Sequence, residues 1–436
     1  MQIENPYVQY MYSYPHKTAY RSLKDMDLKT YLPGLIKQQN SLYFHVPFCQ
    51  SKCGYCNLFS LTGQSQEMME AYVAAMERQA VQIREELPEG VVFSDLTMGG
   101  GTPLILSEHL LEKLFAIAGD KLGFQEKDCP IVVETSPNQT TSSKLKLIKD
   151  HGVTRVSIGV QSFCQGELET LCRFHTVESA RKALDLIKKT GFSCMNLDLI
   201  YGIPGQTKES LLYSLEQAVA YEPEELFVYP LYVKTGTGLC RQQVSRSQEA
   251  YQMYLMLREK LREKGYQPYS MRRFVRTKAE NPVEKSLEEM PELLCGFGNT
   301  LSLGCGGRSY IDNLHFCTPY AVRQENCNRI LKAYLEKEDY MQIEFGYLLN
   351  PEEERRRYLM KHILFGTGIW LEEYQKRFGT ETEKDFPLLL DWIEQGYAVR
   401  KENRIVLNDT GFSLSDYLGP QLISDEVAER MRNWRE

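Results

Sequence analysis

At 436 residues, 42% hydrophobic and 25% charged, the chain is long enough for one large domain plus one or two smaller ones, each able to bury a core. A formal net charge of −7 argues against a protein that coats nucleic acid, and no stretch approaches an apolar membrane span. Twelve cysteines, mostly scattered, and a polar, tyrosine-rich beginning point to a reducing cytoplasm rather than a secreted disulfide scaffold.

Residues 1–40 read as an arm carrying Tyr7, Tyr10, Tyr12, Tyr14 and Tyr20. From Ser41 to about Val233, short apolar runs alternate with amphipathic segments, the pattern of repeated βα units on a parallel sheet. Six strands are expected: Leu42 to Val46, Asp95 to Met98, Ile131 to Glu134, Thr154 to Gly159, Met195 to Ile200 and Leu226 to Tyr229. Between the first two, Met68, Met69, Tyr72, Val73, Met76, Ala80, Ile83 and Leu87 recur at spacings of three and four, one face of a helix that Pro88 and Gly90 stop. The fold class is α/β, with residues 41–235 forming an open, partial (β/α)6 relative of the TIM barrel. In such folds ligands sit at the carboxyl ends of the strands.

Residues 236–348 change character, with helices, a charged stretch from Thr277 to Glu292 and a glycine-dense passage from Gly296 to Gly307; a second domain is expected there. Residues 349–436 read as helices followed by two short strands, Tyr397 to Arg400 and Arg404 to Leu407, around a turn at Glu402-Asn403. That is a winged-helix-like module, which in an acidic chain serves packing more readily than nucleic-acid reading.

The chemistry concentrates in the run Cys49-Gln50-Ser51-Lys52-Cys53-Gly54-Tyr55-Cys56. Three thiolates at this spacing suit three corners of a [4Fe-4S] cube, leaving one iron open for the amine and carboxylate of a methionyl group. A structural zinc site would prefer two separated cysteine pairs, and no second CxxC pair exists; a redox disulfide would be a lone CxxC. Gly99-Gly100-Gly101-Thr102-Pro103 is expected to follow the second strand, where backbone groups stripped of side chains can approach a ligand, or simply make a tight turn. Glu134, Gln161, Arg173 and Asp198 fall at or near successive strand ends, and Arg173 is the natural bidentate partner of a carboxylate.

Tyr43 and His45 share one strand face, Tyr43 placed to line the cavity and His45 expected to be packed. Cys164, Cys172, Cys194, Cys295, Cys305 and Cys317 read as small hydrophobes, with further ligation, flagged for Cys305 and Cys317, as the functional alternative. Lys17, Arg21, Arg272, Arg273 and Arg308 read as solvated charge, with an acidic substrate as the functional alternative.

Tyr43-Phe44-His45-Val46-Pro47-Phe48-Cys49 through Cys56, Gly99 to Pro103 and Tyr201-Gly202-Ile203-Pro204-Gly205 together resemble the radical S-adenosylmethionine (SAM) family of oxygen-independent coproporphyrinogen III oxidase and the HemW-type heme chaperone. The resemblance spans roughly Leu42 to Leu231. It implies that Cys49, Cys53 and Cys56 ligate a [4Fe-4S] cluster and that Gly100, Gly101 and Thr102 lie along the methionyl part of SAM. It further implies that Glu134, Gln161, Arg173 and Asp198 make the remaining SAM contacts, and that Tyr43 stands near the cluster as a catalytic tyrosine.

The same resemblance implies a cytoplasmic enzyme of porphyrin or heme metabolism, a one-electron donor such as flavodoxin or ferredoxin, a small-molecule substrate of which tetrapyrroles are one class, and in some members a second SAM. The chain departs from the family where the oxidase carries a further cysteine, here Leu58, and where the chaperone carries a tryptophan after Tyr320, here Ala321. A heme chaperone and a radical methyltransferase or cyclopropanase therefore stand beside the oxidase-like reading.

Overall fold

The computed structural model describes residues 3–11, 13–36, 40–127, 129–277 and 298–436. These fall into two compact units, one of residues 20–250, 298–348 and 435–436, the other of residues 3–19, 251–277 and 349–434. The charged stretch expected between Thr277 and Glu292 lies outside the described residues beyond Thr277, as do Tyr12 and Cys295.

The first unit is built on six parallel strands: β1 (Asn40–Val46), β2 (Phe93–Gly100), β3 (Ile131–Thr135), β4 (Arg155–Gln161), β5 (Cys194–Tyr201) and β6 (Glu225–Pro230). They lie side by side in chain order. One rung of the ladder pairs Glu134 with Ser157, Ser157 with Asn196 and Asn196 with Glu225. Side chains alternate between two faces. Val133, Val156, Ile158, Val160, Leu197, Leu226 and Val228 are buried, whereas Tyr43, Thr97, Glu134, Ser157, Asp198, Phe227 and Tyr229 on the other face keep partial exposure. The half-open face is the polar one, unlike the fully covered faces usual in parallel sheets.

Local sequence explains the crossovers. The helix Gln66–Glu86 starts at Ser65, whose hydroxyl accepts from Met68 N, and ends at Leu87, which Pro88 holds in an extended conformation. It buries Met69, Tyr72, Val73, Met76, Ala80 and Ile83, leaving Met68 half-exposed at its first turn. Capping boxes at Thr176/Ser179 and Thr207/Ser210 open the helices Val177–Thr190 and Lys208–Val219.

Residues 298–348 do not form the second domain expected of them. Asn299–Leu303 runs parallel to β1, with Leu301 beside Leu42, and Arg308–Ile311, Leu314–Cys317, Gln342–Leu348 and Arg21–Asp27 continue the same sheet in antiparallel order. The strand hides in the sequence because Asn299, Thr300 and Ser302 read as polar. All of Asn299–Leu303 is nevertheless buried, with Asn299 Nδ2 donating to Gly34 O at 3.0 Å and Ser302 N to Ser309 Oγ at 3.0 Å. The expected N-terminal arm is likewise divided, residues 3–19 lying in the other unit and Arg21–Asp27 serving as a strand.

In the second unit the helix Pro351–Ile363 is capped by Asn350, with proline in its first turn and Glu352, Glu353 and Glu354 at its positive end. Ile369–Trp370, Arg404–Leu407 and Ala398–Lys401 form a small antiparallel sheet whose hairpin turns at Glu402 with φ of 47°. Arg272 is buried and bonded to buried Asp416, with its guanidinium 3.8 Å from the Tyr10 ring; Lys17 and Arg273 are buried as well. The reading of these three as solvated surface charge is therefore corrected: burial beside fixed partners is what places them. Arg21 donates to Tyr20 O at 2.7 Å, and Arg308 lies 5.4 Å over the Tyr310 ring. No described helix is long and apolar enough to cross a membrane.

Candidate active site

The cysteine run leaves the carboxyl end of β1 as a closed loop. Its entry, Phe48–Cys49, pairs in parallel with its exit, Leu61–Thr62, and Leu61 N donates to Pro47 O at 2.7 Å. Backbone bonds pin it from several sides: Thr102 N to Phe48 O at 2.8 Å, Gly54 N to Leu171 O at 2.9 Å and Leu239 N to Gly54 O at 2.7 Å. Gly54 is required there, because a Cβ would lie 2.9 Å from Leu239 Cγ and 3.1 Å from Cys172 Sγ.

All three thiols are free and partly buried. Burial, followed by the neighbouring Cys56 and Cys53, pushes the Cys49 thiol up to about 12; burial and then Cys53 raise Cys56. The Cys49 and Cys56 thiolates are thus penalised by burial and by neighbouring sulfur, a cost that iron offsets when it takes them as ligands. Cys49 Sγ has Thr102 Oγ1 at 3.7 Å, Cys53 Sγ has Arg173 Nη1 at 3.0 Å and Cys56 Sγ has Ser60 Oγ at 3.8 Å. Among the described residues no three His, Cys, Asp or Glu side chains are grouped as ligands of a single metal ion. The thiol set nevertheless has the chemistry of cluster ligands, three separate sulfurs on one loop each available to its own iron.

The glycine run is tighter than its sequence reading. Gly99 and Gly100 lie inside β2 rather than after it, and each missing side chain is filled by protein: a Cβ at Gly99 would lie 2.7 Å from Glu134 Oε2, at Gly100 2.5 Å from the His45 ring and at Gly101 2.6 Å from Phe48 O. Gly100 also has φ of +110°. Its N–H donates to Glu134 Oε2 at 3.0 Å. The glycine-dense passage has the same purpose. A Cβ at Gly306 would lie 2.8 Å from His45 Nε2, one at Gly307 would strike Ser302 Oγ, and one at Gly304 would strike Tyr72 Oη. His45 is accordingly packed, its Nε2 3.0 Å from Phe59 O and its Nδ1 3.4 Å from Tyr43 Oη.

Gln161 ends β4 with φ of +73°, a conformation uncommon outside glycine that folds its amide over Gly159. Arg173 reaches the same place, donating to Gly159 O as well as to Cys53 Sγ, while its buried Nε has no partner. Asp198 is the register partner of Gly159. Burial, opposed by Asn196 and reinforced by Glu134, pushes its carboxyl up to about 7. Glu134 is also raised, by burial, against the Gly100 N–H and Arg155. Gln161, Arg173, Asp198 and Glu134 are therefore brought together.

Several participants escaped the sequence reading. Tyr55 interacts electrostatically with Arg173, Cys53, Cys56 and Asp198. Arg155 binds Glu225 Oε2 through Nε at 3.0 Å and Nη2 at 2.8 Å, and Asn196 Nδ2 spans Ser157 Oγ at 2.8 Å and Asp198 Oδ1 at 2.7 Å. Their signal was available: Arg155, Ser157 and Gly159, and likewise Asn196 and Asp198, sit at alternate positions of strands otherwise apolar. Cys305 is buried beside Tyr72, and burial drives its thiol up. His315, in the passage that carries Asn313 and Tyr320, is fully buried with its ring centroid 4.3 Å from that of Tyr310.

Residues 43–218 match the Radical SAM superfamily. The "Heme chaperone HemW" of Lactococcus lactis is 24% identical over 90% of this chain and 100% of that protein. The "Oxygen-independent coproporphyrinogen III oxidase" of Escherichia coli is 26% identical over 94% of each. A solved structure of coproporphyrinogen III oxidase (HemN) from Escherichia coli superposes with a TM-score of 0.80 at 21% identity, covering 95% of this chain and 96% of that one, and shows the shared fold. With the three-cysteine loop at the head of a parallel half-barrel, residues 43–218 are a radical SAM domain, and the chain is an enzyme of the radical SAM type.

Proposed function

We propose that Cys49, Cys53 and Cys56 hold a [4Fe-4S] cluster, and that SAM lies between it and the half-open face of the sheet. The observation that carries this reading is Arg173, whose guanidinium meets a ligand cysteine on one side and leaves a buried Nε without a partner on the other. When bound, cluster and SAM supply a 5′-deoxyadenosyl radical that abstracts hydrogen from substrate. The protein's own part is to place them. Arg173 takes the SAM carboxylate, Gly100, Gly101 and Thr102 run along the methionyl group, and Glu134, Gln161 and Asp198 meet its remaining amine and hydroxyl groups. Tyr43, half-exposed on the polar face of the sheet with its hydroxyl beside His45, serves as the catalytic tyrosine in this reading.

The substrate is a small molecule of the tetrapyrrole class, in keeping with the relatives named for coproporphyrinogen oxidation, and the electron comes from a small one-electron carrier protein in the cytoplasm. Room for a second SAM beside the first belongs to the same reading. Anaerobic incubation of cluster-loaded protein with SAM, a strong reductant and candidate porphyrinogens, with 5′-deoxyadenosine quantified, tests it. Full-length similarity to a heme chaperone favours a second reading, in which heme is bound and SAM little cleaved. A Soret band growing to one equivalent on heme titration would support it.

A further inference from the structure

The chain leaving the third cysteine is fastened along its length to the segment that opens the helix Gln324–Glu336. Tyr320 Oη donates to Asn57 O at 2.8 Å. Thr62 and Gln324 exchange two bonds of 2.8 Å, and Gln64 Nε2 donates to Asn328 Oδ1 at 3.2 Å. Lys52, inside the cysteine run, completes the seam: its Nζ donates to Val322 O and, at 3.4 Å, to Ser60 O. The Ser60 hydroxyl is the group beside Cys56 Sγ. On the far side of Val322, the Glu436 carboxylate accepts from Val322 N at 2.9 Å and Arg323 N at 2.6 Å, so the carbonyl that receives Lys52 is fixed from both ends of its residue.

Both partners of Lys52 are neutral carbonyls, and no carboxylate pairs with it among the described residues. Its charge is therefore fixed near Cys56 without a direct counter-ion. A half-buried cation acts on a nearby redox centre far more strongly than one in bulk water, because the effective dielectric constant is lower.

We propose that Lys52 is a positioning residue for the cluster: it locks the cysteine loop against residues 320–324 and holds a positive charge beside Cys56 that favours the reduced, more negative state. This rests on the radical SAM reading and adds to it a determinant of how readily the electron is accepted. A lysine suits both tasks, since its long stem lets the loop turn while the ammonium reaches two carbonyls.

The test is an EPR-monitored potentiometric titration of reconstituted wild type, Lys52→Met and Lys52→Arg. The midpoint potential of Lys52→Met should fall below that of wild type, and Lys52→Arg should restore it. Equal potentials in all three proteins would overturn the role of Lys52 while leaving the radical SAM reading intact. A wild-type protein that forms no four-iron centre would overturn both. Should Lys52→Met fail to retain a cluster, retention in Lys52→Arg supports the fixed charge, and loss from both variants overturns it.

Discussion

Arg173 Nη1 lies 3.0 Å from Cys53 Sγ, joining residues 120 positions apart in the chain. The guanidinium crosses from the helix-flanking segment after β4 to the cysteine loop after β1 and is steadied on the way by Gly159 O. Burial works against its charge, while Tyr55, Cys53 and Cys56 favour its protonated form. Arg173→Met should therefore weaken SAM binding by about 10- to 100-fold, the loss of one charge-assisted bond worth roughly 1.5–3 kcal/mol. Equilibrium dialysis with labelled SAM measures this directly. An unchanged affinity would remove Arg173 from the binding site.

Asp198 gives a pH dependence of known sign. Its carboxyl is raised from the ordinary 3.8 to about 7 by burial, so between these values the folded chain binds a proton that the unfolded chain has released. Folding stability contributed by this group consequently falls as pH rises from about 4 to about 7 and is level above. Asp198→Asn removes that component. Urea unfolding of the metal-free protein at pH 5, 6, 7 and 8 should show a flatter profile for the variant than for wild type; parallel profiles would place Asp198 in a more hydrated environment.

Gly100 and Gly205 separate packing from backbone strain. Both have positive φ, but a Cβ at Gly205 meets nothing within 4 Å, whereas at Gly100 it meets the His45 ring at 2.5 Å. Gly205→Ala should cost about 1 kcal/mol and Gly100→Ala at least about 3 kcal/mol, read from urea midpoints. Equal costs would mean that the His45 ring is free to move aside.

In the other unit, Arg272 and Asp416 are buried as an ion pair. Asp416→Ala removes this buried carboxylate from the guanidinium and should destabilise that unit by about 3–5 kcal/mol. Differential scanning calorimetry resolves the effect; a loss below about 1 kcal/mol would show that water reaches the pair.

The six parallel strands were legible because β-branched, aromatic and other apolar residues gather there in short runs, and the cysteine loop because three thiols at that spacing have few structural uses. Asn299–Leu303 was not, since its polar residues are satisfied by Gly34 and Ser309, partners distant in sequence or masked by a glycine-rich turn. The glycines of 99–101 and 304–307 were legible as special positions but not in their purpose. Only the three-dimensional contacts show that they make room for Glu134, His45 and Tyr72. Arg155 and Asn196 announced themselves by alternation in an apolar strand, a weaker signal than a motif but a physical one.

The most direct measurement is anaerobic reconstitution of wild type and Cys53→Ala with iron and sulfide, followed by SAM and a strong reductant, with iron content, EPR spectrum and 5′-deoxyadenosine recorded together. The account predicts four irons per chain and 5′-deoxyadenosine in wild type, and neither in Cys53→Ala. A four-iron centre and 5′-deoxyadenosine retained in Cys53→Ala would contradict it.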